Sequence, residues 1–295
     1  MNSRLHQVFD GIRALEPWSP VALRVLQLAA RADVVPDELV AVIGTDAALT
    51  ARVLRLCNSA FYGFQREIGS LREAGNLLGA DVLVSLVMTS CTGRFFRGAG
   101  GEHEARRELW ERSILTALAA ELVAEVHGGV DRPRAYTGGL LANIGELVVL
   151  GHVQGAAERI RAYRRAGLER LEAEQRVIGL HHGQIGGRMA RRWRFPEELV
   201  DCIANHPTPE RAMCDPELVG VVHVAETIAD ALKLEHEAES ERRAYERAER
   251  RAEPGPGPDP GALARLGVDS TGLAELQRTL RGEFERARAL IETAV

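Results

Sequence analysis

Four of the histidines are the first candidates for a chemical role, because imidazole nitrogens bind transition metals and transfer protons near neutral pH. His181 and His182 are adjacent, His206 precedes Pro207, and His223 lies among valines. Consecutive helical residues point about 100° apart, so the adjacent pair cannot easily face one cation. We expect His182 to point inward and His181 to face solvent. His206 is placed to cap carbonyl groups at a helix end, and His223 is typical of a hydrogen-bonded core histidine.

Other arrangements that support catalysis are not recognisable in the chain. No Ser or Cys lies on a strand–turn–helix elbow, and Gly98–Gly101 lacks the lysine and the preceding strand of a phosphate-binding loop. The cysteines are far apart and show no CxxC spacing, which indicates reduced structural thiols in a reducing compartment. They are Cys57, Cys91, Cys202 and Cys214.

The composition indicates a soluble protein and argues against a nucleic-acid-binding or membrane protein. The chain has 295 residues, of which 45% are apolar and 27% charged, as in an ordinary soluble globular protein. A net charge of −5 argues against general nucleic-acid binding. The N-terminus carries no apolar signal run, and the longest apolar stretches, 82–88 and 140–150, are too short for a membrane span. We therefore expect a cytoplasmic protein without membrane contact.

Almost every segment repeats its apolar residues with a helical period, which predicts an all-α fold. Ser19, Asp46 and Ser70 stand where capping residues begin helices. The predicted helices start or run at Pro20, Pro36, 47–58, 70–79, 81–96, 104–126, 134–150, 196–204 and 216–232, with two or three more between 156 and 193.

The same pattern divides the chain into four parts. An N-terminal helical lobe covers residues 1–98, and a second helical lobe covers residues 103–233, with the glycines 98–101 as a flexible boundary. Residues 234–260 form a charged helix and a Pro/Gly linker. Residues 261–295 regain an amphipathic pattern, so the last helix is expected to pack back on the body.

The segment that ends the predicted helix 47–58 contains the pattern Asn58-Ser59-Ala60-x-Tyr62-Gly63. One interpretation is a polar binding site. The simpler one is a helix end, where Asn58 and Ser59 satisfy free backbone groups, Tyr62 packs its ring and Gly63 permits a positive φ.

Together with a second block that runs from Leu109-Trp110 to His223-Val224-Ala225-Glu226, this pattern resembles the HDOD domain, the HD-related output domain. The similarity covers roughly residues 10–235. It implies an N-terminal bundle of about five helices packed on a helical bundle like that of the HD phosphohydrolases.

The resemblance also places the family's metal ligands, one position at a time. The early histidine falls at Arg112, the His-Asp pair at Ala142 and Asn143, and a frequent basic residue at Glu146. Two later histidines are retained and the closing aspartate is replaced, at His182, His206 and Glu226.

These replacements predict a degenerate site without metal, cofactor or catalytic residues. Alanine has no donor atom, and a neutral amide is a poor ligand for a hard divalent cation. Arg112 would add a fixed positive charge where a cation should bind.

The resemblance then implies a non-catalytic bacterial signal-transduction module. Its expected partner is a separate signalling protein, such as a receiver, a kinase or a cyclic-di-GMP turnover protein. Two alternatives stay open. One is a divergent metal-dependent phosphohydrolase that uses His182, His206 and Glu226. The other is a receptor for a cyclic dinucleotide or another small anion, with Arg112 in the pocket.

Overall fold

A computed structural model describes residues 3–31, 33–97, 103–245 and 258–294, and within them only the helical backbone of 233–245 and 284–286. All regular structure in these ranges is helical, which confirms the predicted all-α class. The helices are α1 Ser3–Ala14, α2 Pro20–Ala29, α3 Pro36–Ile43, α4 Ala47–Cys57, α5 Leu71–Phe96, α6 His103–His127, α7 Arg132–Ala142, α8 Gly145–His152, α9 Ala156–Arg165, α10 Arg170–Ile178, α11 His182–Arg192, α12 Glu197–Asn205, α13 Pro216–Tyr245, α14 Pro260–Arg265 and α15 Ser270–Ala294.

The helices of the N-terminal half begin at the residues whose side chains can cap them. Ser19, Asp46 and Ser70 each accept a hydrogen bond from the backbone N–H three residues later, at 3.3, 2.9 and 3.1 Å respectively. Gly79 interrupts α5 with a φ of 83°, at the position where the sequence predicts that one helix ends and the next begins. Local side-chain chemistry therefore sets these boundaries.

One predicted boundary is wrong. The sequence predicts a single helix over 134–150, but the structure has two helices, α7 and α8, because the chain leaves the helical path after Ala142. Asn143 is the C-cap of α7, and the backbone N–H of Glu146 then bonds the carbonyl of Asn143 at 3.0 Å in a new turn. The break turns α8 toward α11, on which it packs.

Two lobes share one continuous apolar core. Helices α2, α3 and α4 pack on α5, while α7 and α13 pack on α6 in the second lobe. Helix α1, which the sequence does not predict, packs on α8 and α11 of the second lobe. Trp18 lies at the seam between the lobes, with ring centroids 5.5 Å from Phe95, 5.1 Å from Trp193 and 5.0 Å from Phe195.

The C-terminal helix joins both lobes. Helix α15 packs on α4 and α5 of the first lobe and on α6 and α13 of the second. The indole Nε1 of Trp110 in α6 donates to the carbonyl oxygen of Ile291 at 3.2 Å. The charged segment after Glu235 continues α13 as far as Tyr245. The predicted glycine boundary 98–101 and the proline-rich part of the predicted linker, 254–257, lie outside the described residues.

Among the described residues, α5 is a helix long and apolar enough to cross a bilayer. However, 61% of its apolar window is buried inside the protein. The segment formed by α7 and α8 passes the same test only together with α9, and the chain bends by 117° between the two. Burial of this kind is what the core helix of a soluble protein shows.

Two glycines allow the close helix contacts that build the second lobe. A Cβ at Gly139 would lie 2.6 Å from the carbonyl oxygen of Thr116, so α7 touches the backbone of α6. A Cβ at Gly145 would lie 2.1 Å from the carbonyl oxygen of His182, so α8 touches α11 in the same way. Since backbone atoms cannot move aside cheaply, neither position accepts a side chain.

The substitution Gly145→Ala should lower the free energy of unfolding by about 3 kcal/mol, because the added methyl group overlaps backbone oxygen. The matched control is Gly282→Ala in α15, where a Cβ meets nothing within 4 Å. Alanine is the better helix former, so the control should be stabilised by about 0.5–1 kcal/mol. Urea unfolding followed by circular dichroism measures both. Equal midpoints for the two variants would contradict the close contact.

Candidate functional site

The residues predicted for the degenerate site converge at one place, although they come from six parts of the second lobe. Arg112 is in α6 and Glu146 in α8, while Ala142 and Asn143 end α7. His182 begins α11, His206 follows α12, and Glu226 is in α13. The two histidines and Asn143 are fully or almost fully buried, whereas Arg112 and Glu146 keep side-chain exposures of 18% and 23%.

Arg170 lies at the centre of this cluster, and the sequence prediction did not include it. Its Nη2 donates to Asn143 Oδ1 at 2.7 Å and also to Glu146. Its Nη1 donates to Glu226 Oε1 at 3.0 Å, and its Nε donates to Glu174 Oε1 at 3.2 Å. One guanidinium therefore bonds oxygen atoms from α8, α10, α13 and the end of α7.

Glu174 is the second site residue that the sequence prediction missed. It follows Arg170 by one helical turn in α10, and its side chain is 6% exposed. Its carboxylate accepts from the backbone N–H of His182 and from Nδ1 of the same residue, each at 2.8 Å. Glu174 thus fixes both the start of α11 and the orientation of the His182 ring.

A second guanidinium lies on the more exposed side of the cluster. Arg112 Nη1 is 3.2 Å from Glu146 Oε1 and 3.5 Å from Asn143 Oδ1. Its Nε is 3.5 Å from Asp230 Oδ1 in α13. The expected positive charge is therefore present, but carboxylates compensate it.

The two buried histidines face each other. His182 Nε2 is 3.2 Å from His206 Nε2, which is 3.3 Å from Glu226 Oε2. The carboxylate of Glu174 and the carbonyl of Ile203 can only accept, so Nδ1 of each ring carries its hydrogen. Two neutral rings would then aim two lone pairs at each other. An additional proton or a metal cation between the two Nε2 atoms is required to make this contact favourable.

Charge pairing determines the ionisation of the cluster. Burial alone would raise the pKa of Glu174 and of Glu226, but their contacts with His182, His206 and Arg170 outweigh it, and both pKa values lie below the usual range. Burial alone would lower the pKa of Arg170, whereas the surrounding carboxylates raise it above its ordinary value. The carboxylates and the guanidinium are therefore charged at neutral pH.

The donors do not fit the metal centre of an HD phosphohydrolase. Ala142 offers no ligand atom, and the single amide oxygen of Asn143 is already bonded by Arg170. Among the described residues, one group of three side chains could still hold an ion: the ligand atoms of His182, His206 and Glu226 lie within 4.8 Å of one another. Three nitrogen and oxygen ligands suit at most one transition-metal ion.

His181 does not face solvent as predicted. It is 2% exposed and is the N-cap of α11, where its Nδ1 accepts from the backbone N–H of Gln184 at 3.3 Å. Gln184 bonds back to the backbone N–H of His181 at 3.2 Å, which completes a capping box. Burial first, and then the neighbouring His182, lowers the pKa of His181 to about 4. The inward orientation predicted for His182 agrees with the structure.

The remaining motif residues make local contacts at the end of α4. Asn58 donates to the carbonyls of Leu54 and Ile68 at 2.9 and 3.0 Å and accepts from the N–H of Ile68 at 2.7 Å. Ser59 Oγ donates to the carbonyl of Leu56 at 2.7 Å. The ring of Tyr62 packs on Phe61 and Phe64, and Gly63 has a φ of 64°. The pattern therefore closes the end of α4, as the simpler interpretation states.

His223 links the site to the C-terminal segment. Its Nδ1 donates to the carbonyl oxygen of His206 at 2.9 Å, and its Nε2 accepts from the backbone N–H of Asp259 at 3.0 Å. The ring is half-buried rather than fully buried, but both nitrogen atoms are bonded. The histidine is thus satisfied, as predicted.

Replacing Glu174 with Gln should lower the free energy of unfolding at pH 7 by about 3–5 kcal/mol, because it removes one charge from a buried ion-pair network. The folded-state pKa of Glu174 is depressed, so its contribution is present above the ordinary pKa and is lost as the pH falls below about 4.5. The variant should show a flatter acid limb in denaturant unfolding. The control Glu172→Gln, exposed on the same helix, should change stability by less than about 0.5 kcal/mol.

His181 should give the protein a second pH dependence of stability. Its pKa of about 4 in the folded protein lies below the ordinary 6.5, so the unfolded chain binds more protons between these values. Stability should fall as the pH drops from about 6.5 to about 4. His181→Asn keeps a good N-cap that does not titrate, and thermal unfolding of this variant should lack that part of the slope. His6→Asn, exposed in α1, is the control. An unchanged slope in His181→Asn would refute the assignment.

Comparison with known proteins agrees with this architecture. The family model described as the HDOD domain matches residues 15–209. An uncharacterised protein of Treponema pallidum (strain Nichols) is 29% identical over 195 residues, which are 64% of this chain but only 37% of that protein. The chain thus spans well under half the length of that relative.

Solved structures share the fold. An HDOD domain protein of unknown function from Geobacter sulfurreducens has a TM-score of 0.71 and 24% identity, with 98% of each chain covered. A "Putative signal transduction protein" from Marinobacter aquaeolei VT8 has a TM-score of 0.75 and 19% identity, covering 99% of this chain and 66% of that one. A "Putative phosphohydrolase" from Shewanella amazonensis SB2B has a TM-score of 0.69 and 24% identity, covering 96% and 98%. Since the HDOD model matches well over half of the chain, this protein belongs to the HDOD family.

Proposed function

We propose that this protein is a non-catalytic regulatory module of bacterial signal transduction. It binds a signalling protein, such as a receiver, a kinase or a cyclic-di-GMP turnover protein, and passes on its state through helix packing. Its HD-like bundle keeps a continuous apolar core but has alanine and asparagine where the resemblance places the His-Asp pair.

The replacement of the paired ligands carries the proposal. Ala142 is fully buried and has no donor atom. The side-chain oxygen of Asn143 accepts a hydrogen bond from the guanidinium of Arg170. A phosphohydrolase of this superfamily needs a cation that polarises a phosphoryl oxygen and activates water. Without these ligands, the site cannot hold two metal ions.

The charge of the site favours a protein partner over a nucleotide in this pocket. Four carboxylates, those of Glu146, Glu174, Glu226 and Asp230, face two guanidiniums. Even with one imidazolium the cluster is acidic, and a phosphate would meet repulsion. Arg112 and Arg170, the basic side chains within the cluster, already have carboxylate partners.

A divergent metal-dependent phosphohydrolase is the second candidate. The converging His182, His206 and Glu226 favour it, because both rings keep Nε2 free of hydrogen when neutral. The names of the two Shewanella and Marinobacter structures point in different directions, one to hydrolysis and one to signalling. The choice therefore rests on the chemistry of this chain.

Purified wild-type protein should contain far less than one metal ion per chain by mass spectrometry. It should hydrolyse neither bis(p-nitrophenyl) phosphate nor cyclic-di-GMP faster than a Glu226→Gln control in the presence of Mn²⁺. Stoichiometric Mn, Fe or Zn, lost in His182→Ala and accompanied by phosphodiesterase turnover, would establish the second candidate instead.

Calorimetry with cyclic-di-GMP tests the small-ligand alternative. We expect no heat of binding from the wild type, since the cluster is acidic. Saturable heat that disappears in Arg112→Ala would show a nucleotide receptor. Affinity capture from the source bacterium, followed by mass spectrometry, then tests whether a receiver, a kinase or a cyclic-di-GMP turnover protein is the partner.

A further inference from the structure

The centre of the site is filled by a charge that the chain itself supplies. All three nitrogen atoms of the Arg170 guanidinium donate to side-chain oxygens, and the side chain is only 15% exposed. Two of these oxygens belong to positions where the resemblance places metal ligands, Asn143 Oδ1 at 2.7 Å and Glu226 Oε1 at 3.0 Å. The guanidinium therefore bridges the end of α7 and α13 as a bound cation would.

The charge of the residue at position 143 fits this exchange. A divalent ion carries two positive charges and a guanidinium carries one. An asparagine at position 143, instead of an aspartate, removes one negative charge from the same shell. At these two places the changes cancel, whereas Arg112 and Glu146, in place of a histidine and a basic residue, together make the cluster more negative by one charge.

We propose that Arg170 is a built-in counter-cation that holds the acidic cluster together in place of a divalent metal, and that its removal creates a divalent-metal site at His182, His206 and Glu226. Arg170 is a positioning residue here, because it touches no substrate. The released carboxylates of Glu146 and Glu174 would add to the negative potential at that point. The inference rests on the proposed absence of a resident metal, but it does not depend on the identity of the partner.

In the Arg170 variant, the side chains of His182, His206 and Glu226 would already be oriented to bind such an ion. Glu174 and the carbonyl of Ile203 hold Nδ1 of the two rings, at 2.8 and 3.0 Å, so that both Nε2 atoms point to the same place. Oriented imidazoles of this kind are typical of transition-metal sites, where the second nitrogen donates to a carboxylate or a carbonyl. In the wild type, the nearby guanidinium opposes an additional dication electrostatically.

The test compares Arg170→Ala with the wild type and with Arg176→Ala, an exposed arginine on the same helix with a side-chain exposure of 57%. Thermal unfolding is measured after EDTA treatment and again with Mn²⁺, Zn²⁺ or Mg²⁺. We expect a lower Tm for Arg170→Ala in EDTA. Mn²⁺ or Zn²⁺ should raise it by about 5 °C or more when the metal is present at about a hundred times its Kd.

Two further variants locate the ion. Arg170→Ala combined with His206→Ala should lose the metal response, because one of the three ligands is gone. Arg170→Lys keeps the charge but cannot bond all of the oxygens, so it should be moderately destabilised and should not respond to metal. Calorimetry with Mn²⁺ should show one ion per chain for Arg170→Ala and no saturable binding for the wild type and Arg176→Ala.

Several results would overturn the proposal. One such result is that Arg170→Ala folds but shows no Tm shift with any of the metals. Another is that Arg170→Ala fails to fold both with and without metal. A shift that survives the loss of His206 would also do so. These outcomes leave the non-catalytic role intact. Stoichiometric metal in the wild type without turnover refutes the role of Arg170 alone, whereas stoichiometric metal with phosphodiesterase turnover refutes both.

Discussion

A charged guanidinium removed from water is stable only if its donors find acceptors, and this requirement organises the second lobe. Arg170 begins α10 and reaches oxygens on the end of α7, on α8 and on α13. Those oxygens are available only because α7 ends at Asn143 and α8 starts in a new direction. The break between these helices and the position of α10 therefore bring the hydrogen-bond partners of one buried ion together.

The same cluster connects to the outer parts of the molecule through bonds of fixed direction. Glu174 accepts from the backbone N–H of His182, the first residue of α11. His223 donates to the carbonyl of His206 and accepts from the backbone N–H of Asp259, just before α14. A change in the charge of the site would therefore alter contacts of α11 and of the C-terminal segment. This is a physical route by which the site could influence a surface.

Local signals in the sequence predict much of the fold, because caps and helical periodicity depend on neighbouring residues. Ser19, Asp46 and Ser70 begin helices as their side-chain chemistry requires. Arg170 and Glu174 could not be found in this way. They lie in a stretch rich in charged residues, 169–176, that resembles a solvated helical face. Only tertiary packing buries Glu174 and leaves the side chain of Arg170 just 15% exposed. The prediction for His181 fails for another reason: an N-cap is extended, so it does not follow the 100° spacing of consecutive helical residues.

All three tryptophans of the chain lie at junctions between its parts. Trp18 and Trp193 pack on Phe95 where the first lobe meets the second, and Trp110 donates a hydrogen bond to the backbone of the last helix. Each is at most 4% exposed. Intrinsic fluorescence therefore reports on the seams rather than on the interior of either lobe. A partner that separated the lobes would expose these indole rings to water. The tryptophan emission would then shift to longer wavelength, without any added label.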